Sequence, residues 1–168
     1  MKTVALVTGG TGFIGSHLCN KLYENNYHVI AVGFSGENIP NCHQLYRMPL
    51  DQIPHSEIGN IDICFHQAAN NDTLDSNLDK MLQANVIQPS TLFRNLLQQN
   101  NCKNFVYASS CSIYGNQPSP FDELETSPDP LNPYAVSKLE FEKFASDFRE
   151  LHGLQVVGLR YTNRSEEH

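Results

Sequence analysis

Apolar positions along the chain come in two patterns. Short unbroken runs are set between longer stretches in which apolar residues recur every three or four positions. Val4-Ala5-Leu6-Val7 is such a run, and runs of this kind suit parallel strands buried on both faces. Ile14, Leu18 and Leu22 follow at helical spacing and predict an amphipathic helix. Tyr27 to Val32 predicts a second strand. Residues 33 to 57 carry Gly33, Gly36, Pro40, Pro49 and Pro54 and read as a long connection with one short strand near Leu45-Tyr46. Ile61 to Phe65 is a further buried strand. A helix is predicted over 76–99, with Leu78, Leu82, Val86, Leu92, Leu96 and Leu97 on one side and a kink at Pro89. Asn104 to Ala108 is the next strand. Residues 115 to 133 hold Pro118, Pro120, Pro128, Pro130 and Pro133, which predicts an ordered surface loop or lid. Tyr134 to His152 is a helix that Gly153 is placed to end, and Leu154 to Leu159 is the last strand. Alternation of this kind predicts an α/β fold around a parallel sheet.

The first strand-to-helix turn carries candidate chemistry. Gly9, Gly12 and Gly15 are spaced G-x-x-G-x-x-G within Thr8 to Ser16. A chain that leaves a strand, admits a pyrophosphate to its backbone and aims a helix N-terminus at it needs bare positions there. Glycine is also common in plain βα turns, but a buried strand before it and an amphipathic helix after it favour the nucleotide reading. The fold class is therefore a Rossmann-type, doubly wound parallel sheet with helices on both faces. At the end of the second strand, where many such folds place an acidic residue for the adenosine ribose, stands Gly33. No carboxylate repels a 2′-phosphate and no nearby Arg or Lys attracts one. Ser35 is a candidate donor. The balance tips slightly from NAD to NADP, with a merely tolerated Gly33 as the other reading.

Tyr134 and Lys138 stand four apart at a helix start and so share one face. An ammonium beside a phenol favours the phenolate, lowering its pKa toward neutrality. Serines close the preceding strand, at the edge where α/β sheets place ligands. Together these make a base for taking a proton from an alcohol while hydride leaves for a nicotinamide.

Composition narrows the function classes. Of 168 residues, 40% are hydrophobic, as in a globular domain. Eleven Lys and Arg against 18 Asp and Glu give a net charge of −7, which disfavours nucleic acid and anionic membranes as partners. No apolar run approaches a membrane span, and the N-terminus lacks a signal-peptide layout. Five cysteines without a CxxC pair fit reduced thiols in a cytoplasm. The seven histidines lack metal-ligand spacing, so no metal is expected. His66, at a buried strand end, reads as a structural hydrogen-bonding group before a catalytic one, and Cys111 as a packing residue before a redox-sensitive thiol.

The motifs together resemble the N-terminal part of the extended short-chain dehydrogenases/reductases, in the nucleotide-sugar epimerase/dehydratase family. The resemblance rests on TGGTGFIGS at 8–16, His66-Gln67-Ala68-Ala69, Asn85, YASSCSIYG at 107–115, PYAVSK at 133–138 and LRYTN at 159–163. It implies that Ser110 and Tyr134 meet the reacting sugar and that Lys138 supports Tyr134 and the nicotinamide ribose. It places Phe13 and Ile14 against the pyrophosphate, Ala68, Ala69 and Asn85 along the cofactor groove, Asp51 near the adenine, and Asn163 toward substrate. Sugar dehydratases carry an Asp-Glu pair where this chain has Cys111-Ser112, so epimerisation is expected over dehydration. ADP-glycero-manno-heptose 6-epimerases and UDP-hexose 4-epimerases are the most similar kinds. The resemblance further implies a nucleotide-sugar substrate and a homodimer. Residues 1–163 are expected to form the NAD(P)-binding domain, and 164–168 a tail where the family continues into a substrate domain absent from this chain. A catalytically silent dinucleotide-binding module is the alternative function.

Overall fold

The computed structural model describes residues 2–34 and 37–162. Six strands form one parallel sheet: β1 (Val4–Thr8), β2 (His28–Val32), β3 (Gln44–Tyr46), β4 (Ile63–His66), β5 (Asn104–Ser110) and β6 (Gln155–Tyr161). Their spatial order is β3-β2-β1-β4-β5-β6. The order reverses between β1 and β4, where Thr8 pairs in register with His66, and such a switch opens a crevice at the strand C-termini.

The period-two alternation of the strands assigns the two faces. Leu6, Ile30, Val32, Cys64, Phe105 and Tyr107 enter one core, with Phe93, Phe141 and Phe148 from the helices above. Ala5, Val7, Val29 and Ala31 face the other way, against Cys19 and Leu22 of α1 (Phe13–Glu24). The larger core is an aromatic stack, Phe93 on Phe105 at 4.5 Å and Phe141 edge-on to Tyr107 at 5.1 Å. A side chain at Gly158 of β6 would strike the Tyr107 hydroxyl at 2.5 Å, so glycine there makes room for Tyr107. α1 covers β1, β2 and β4 on its side, while β6 is more open there, with Val157 half exposed. Among the described residues no helix is long and apolar enough to cross a membrane.

The expected elements are present, and three places differ. The connection before β4 holds, besides β3, a 3-10 turn at Leu50–Gln52 and a short helix, α2 (His55–Ile58). Asn100 anchors α2 by donating to the carbonyls of His55 at 2.8 Å and Gly59 at 2.7 Å. The predicted single helix over 76–99 is α3 (Leu78–Leu82), a π turn at Gln83–Ile87, and α4 (Gln88–Asn100). Pro89 has no N–H to give the carbonyl of Asn85, so the expected kink takes the form of a widened turn just ahead of it. The widened turn also moves the buried line. Met81, Asn85, Phe93 and Leu96 occupy it, whereas Leu78 is 41% exposed.

α5 (Pro133–His152) begins where its sequence says it should. Asn132 caps it by accepting from the Ala135 N–H at 2.8 Å, and Pro133 takes a position that needs no donor. Gly153 ends it in the left-handed conformation, at φ 63°. The proline-rich segment before α5 is an ordered loop. Phe121 stacks on Tyr114 at 4.6 Å, and Asp129 donates to the Ile113 carbonyl at 2.8 Å.

Candidate active site

A groove of about 950 Å³ runs across the C-terminal edge of the sheet. One end lies over β2 and β3, the middle over the glycine turn, and the other end over β5 and the start of α5.

The glycine turn forms the middle. Gly9 has φ +68°, and a Cβ there would lie 2.7 Å from the Ala68 nitrogen. A Cβ on Gly15 would lie 2.1 Å from the Gly9 carbonyl oxygen. These two glycines let α1 and the β4 loop close on the turn. Gly12 caps α1, no side chain caps that end, and its first turn carries no acid. The resulting array of N–H groups with a positive dipole end fits a pyrophosphate. Gly12, Phe13, Ile14, Ala68 and Ala69 line the groove here.

At the β2 end the picture differs from the sequence reading. A Cβ on Gly33 would fall 2.1 Å from the Thr11 hydroxyl oxygen, so the bare position is required by the buried Thr11 side chain rather than merely tolerated. Gly33 donates its N–H to the Tyr46 carbonyl at 2.9 Å, so the backbone of the next residue, Arg47, runs beside it, while the exposed Arg47 side chain does not line the groove. Asp51, expected near the adenine, stands elsewhere. The 3-10 turn presents Met48, Pro49 and Leu50 to the groove and leaves Asp51 exposed outside its lining. Ser35 and Asn163 lie outside the described residues.

The far end brings Ser110, Tyr134 and Lys138 together on the groove wall. Ser110 Oγ accepts from the Ser112 N–H at 3.1 Å, and its hydroxyl also bonds the Tyr134 phenol. Lys138 is buried and donates to the Ala108 carbonyl at 2.9 Å, and burial brings its pKa down to about 8. Its ammonium lies 5.7 Å from the centre of the Tyr134 ring. The phenol of Tyr134 is raised, chiefly by burial, with the Ser110 hydroxyl pulling the other way. The expected lowering by Lys138 is thus not the resting arrangement: burial dominates at Tyr134, and the Lys138 ammonium is committed to the Ala108 carbonyl. Lys138 is the one charged side chain lining the groove among the described residues.

Asn85 does not line the groove. It is buried and spends its amide on Asn70 and Ser137. His66 is likewise interior, bonded through Nδ1 to the Thr8 hydroxyl at 2.7 Å between Phe93 and Phe141. Burial, and then the Lys138 charge, push its pKa down to about 3, so it is neutral at ordinary pH. Cys111 gives its thiol to the Arg160 carbonyl, as a packing residue does. Local spacing did not reveal the support beneath the site. Arg160 on β6 binds Glu142 of α5 through two nitrogens at 3.0 and 2.7 Å, and Glu142 takes the Ser109 hydroxyl at 2.5 Å. Tyr161 donates to Gln67 Oε1 at 3.1 Å, joining β6 to the β4 loop at the groove wall.

Residues 5–165 match the model of the NAD dependent epimerase/dehydratase family. The chain belongs to that family. It is 33% identical to an ADP-L-glycero-D-manno-heptose-6-epimerase of Brachyspira hyodysenteriae, over 94% of this chain and 54% of the relative. It is 28% identical to a putative UDP-glucose 4-epimerase of Methanocaldococcus jannaschii, over 94% and 55%. Among solved structures, it superposes with a TM-score of 0.85 and 32% identity on a UDP-N-acetylglucosamine 4-epimerase from Methanobrevibacter ruminantium in complex with UDP-N-acetylmuramic acid, covering 96% of this chain and 55% of that one. A UDP-glucuronic acid 4-epimerase from Bacillus cereus in complex with NAD gives a TM-score of 0.84 at 26% identity, covering 96% and 56%. The chain spans about half the length of the curated relatives it matches.

Proposed function

We propose that this chain is the dinucleotide-binding and proton-transferring part of a nucleotide-sugar epimerase. The observation that carries the proposal is the meeting of Ser110, Tyr134 and Lys138 at one end of a groove whose middle is an uncapped helix N-terminus over three glycines. A bound nicotinamide supplies a reversible hydride acceptor, and the chain's own groups handle the proton. The Ser110 hydroxyl donates to the oxygen of the reacting carbon and holds it against Tyr134. Tyr134, in its phenolate form, takes that oxygen's proton on its phenol oxygen and returns it when the hydride comes back. Lys138, whose pKa of about 8 leaves it mainly cationic near neutral pH, favours the phenolate as it forms. Among the described residues no carboxylate lines the groove beside Ser110, so nothing there matches the acid-base pair that elimination of water asks for. That supports epimerisation over dehydration.

NADP is proposed over NAD. What supports this is a ribose corner lined by Gly33 with no acid beside it to repel a 2′-phosphate. The test is calorimetric titration of the chain with NADP and NAD, followed by NMR detection of epimer from UDP-hexose or ADP-heptose. Tighter NADP binding and epimer formation that disappears in Tyr134→Phe are expected. Tighter NAD binding overturns the cofactor preference. Absence of dinucleotide binding at millimolar ligand overturns the whole reading, and binding without turnover favours a silent module.

A further inference from the structure

Ser137 stands inside α5 between the two residues assigned to the chemistry, and its side chain is wholly buried. Serine is a mediocre helix residue, and a buried hydroxyl is costly unless bonded. On the same helix the buried places at 135 and 145 are filled by alanine. Ser137 uses its hydroxyl fully. It donates to the Tyr134 carbonyl at 2.7 Å and accepts from Asn85 Nδ2 at 3.0 Å.

Asn85 extends the chain of bonds. Its Oδ1 takes the Asn70 N–H at 2.8 Å, and its Nδ2 also donates to the Asn70 carbonyl at 2.9 Å. Both backbone groups of Asn70 are thereby fixed by one buried amide. Asn70 lines the groove on the β4 side and Tyr134 lines it on the α5 side. The bonds therefore run beneath the groove from one wall to the other. Asn85 reaches this place from the π turn that Pro89 obliges α4 to begin with, an irregularity of the sort that accompanies functional sites. In so dry a setting each bond polarises the next, and the distances between its ends are closely held.

We propose that Ser137 is a positioning residue, the link by which Asn85 sets the Tyr134 turn against the Asn70 wall. The inference rests on the reading of Tyr134 as the proton-transferring group. Ser137 touches neither sugar nor dinucleotide. It acts by holding the first turn of α5, and with it the phenol, at the spacing a ligand lying across both walls requires.

The test uses the chain labelled with 3-fluorotyrosine, the Tyr134 resonance being assigned from Tyr134→Phe. In Ser137→Ala, the Tyr134 resonance is expected to move while that of Tyr107, packed elsewhere in the core, stays put. Affinity for NADP, measured by calorimetry, is expected to fall about tenfold, as small misplacements near a reacting group do. Asn85→Ala should show a comparable loss, and the double variant no more than either alone, because the two act as one unit. An unmoved Tyr134 resonance with NADP affinity within about twofold in a cooperatively melting Ser137→Ala overturns the proposal, as do additive losses in the double variant. If Ser137→Ala does not fold, Ser137→Cys keeps the volume with a far weaker hydrogen bond and is judged by the same resonance. If the parent chain binds no dinucleotide, the functional reading falls, while the Tyr134 resonance still decides the relay.

Discussion

Gly15 and Gly153 separate two ways in which a glycine is required, and substituting each by alanine tests the nucleotide turn directly. At Gly153 the backbone is left-handed at φ +63° and open space surrounds the missing side chain. Gly153→Ala therefore costs only the strain of an L-residue there, about 1 kcal/mol of stability. At Gly15 an added methyl would sit 2.1 Å from the Gly9 carbonyl oxygen and 2.7 Å from its carbon. A relaxed contact needs about 1 Å more, and the atoms met are backbone, so α1 must move off the turn. Overpacking of this kind costs about 1–3 kcal/mol. The same movement carries the N–H groups of the first turn away from the pyrophosphate. Each charge-assisted hydrogen bond lost is worth about 1.5–3 kcal/mol, so losing two weakens dinucleotide binding by about two orders of magnitude or more. Urea denaturation gives the stability of each variant and calorimetric titration gives its affinity. Gly153→Ala should bind like the parent, and Gly15→Ala should bind far more weakly at comparable stability. A folded Gly15→Ala with parental affinity would refute the assignment of this turn to a pyrophosphate.

Three further outcomes follow from named contacts. Tyr134→Phe should bind dinucleotide within about threefold of the parent while turnover falls by about two to four orders of magnitude, and equal turnover in an NMR assay would remove Tyr134 from the chemistry. His66 is held neutral in the folded chain with its pKa near 3, whereas the unfolded chain titrates it near 6.5. The unfolded state thus binds the extra proton between those values, and stability, full above pH 6.5, should decline as pH falls toward 3; His66→Gln should flatten that stretch of a urea-midpoint profile, and an unchanged slope would contradict the burial argument. Glu142→Ala takes the carboxylate from the Arg160 guanidinium and the Ser109 hydroxyl, so a loss of about 2–4 kcal/mol is expected, and Glu142→Gln, whose single amide oxygen can still accept from Ser109 and the Arg160 Nε while the bond from Nη2 is lost, should recover part of it in the same denaturation assay.

Much of this architecture was legible locally. β1, β2, β4 and β5 are apolar runs too short for helices, and burial on both faces is what such runs need. Asn132-Pro133 and Gly153 mark the ends of α5 because capping is a property of adjacent residues. The glycine turn and the pair Tyr134 and Lys138 were visible for the same reason, since each lies within one stretch of chain. The stripe through Leu78, Leu82 and Val86 misled because it assumed an unbroken 3.6-residue period, and Pro89 breaks that period by widening the turn before it. Asp51 misled because a short 3-10 turn decides by a single residue which side chain meets the groove, and here it is Leu50.

By itself the sequence determined which segments become strands and helices, where α5 starts and stops, and that a glycine turn links β1 to α1. These follow from hydrophobic period, capping and backbone freedom, all of them short-range. Only the tertiary structure decided that Gly33 bonds Tyr46, that Asn85 faces Ser137 and not the groove, and that Lys138 is spent on the Ala108 carbonyl. Those pairings join residues far apart in the chain, Lys138 and Ala108 by 30 positions and Asn85 and Ser137 by 52. The charge state of a buried group depends likewise on everything packed around it. That is why spacing alone predicted a lowered phenol at Tyr134, while burial in the folded chain raises it.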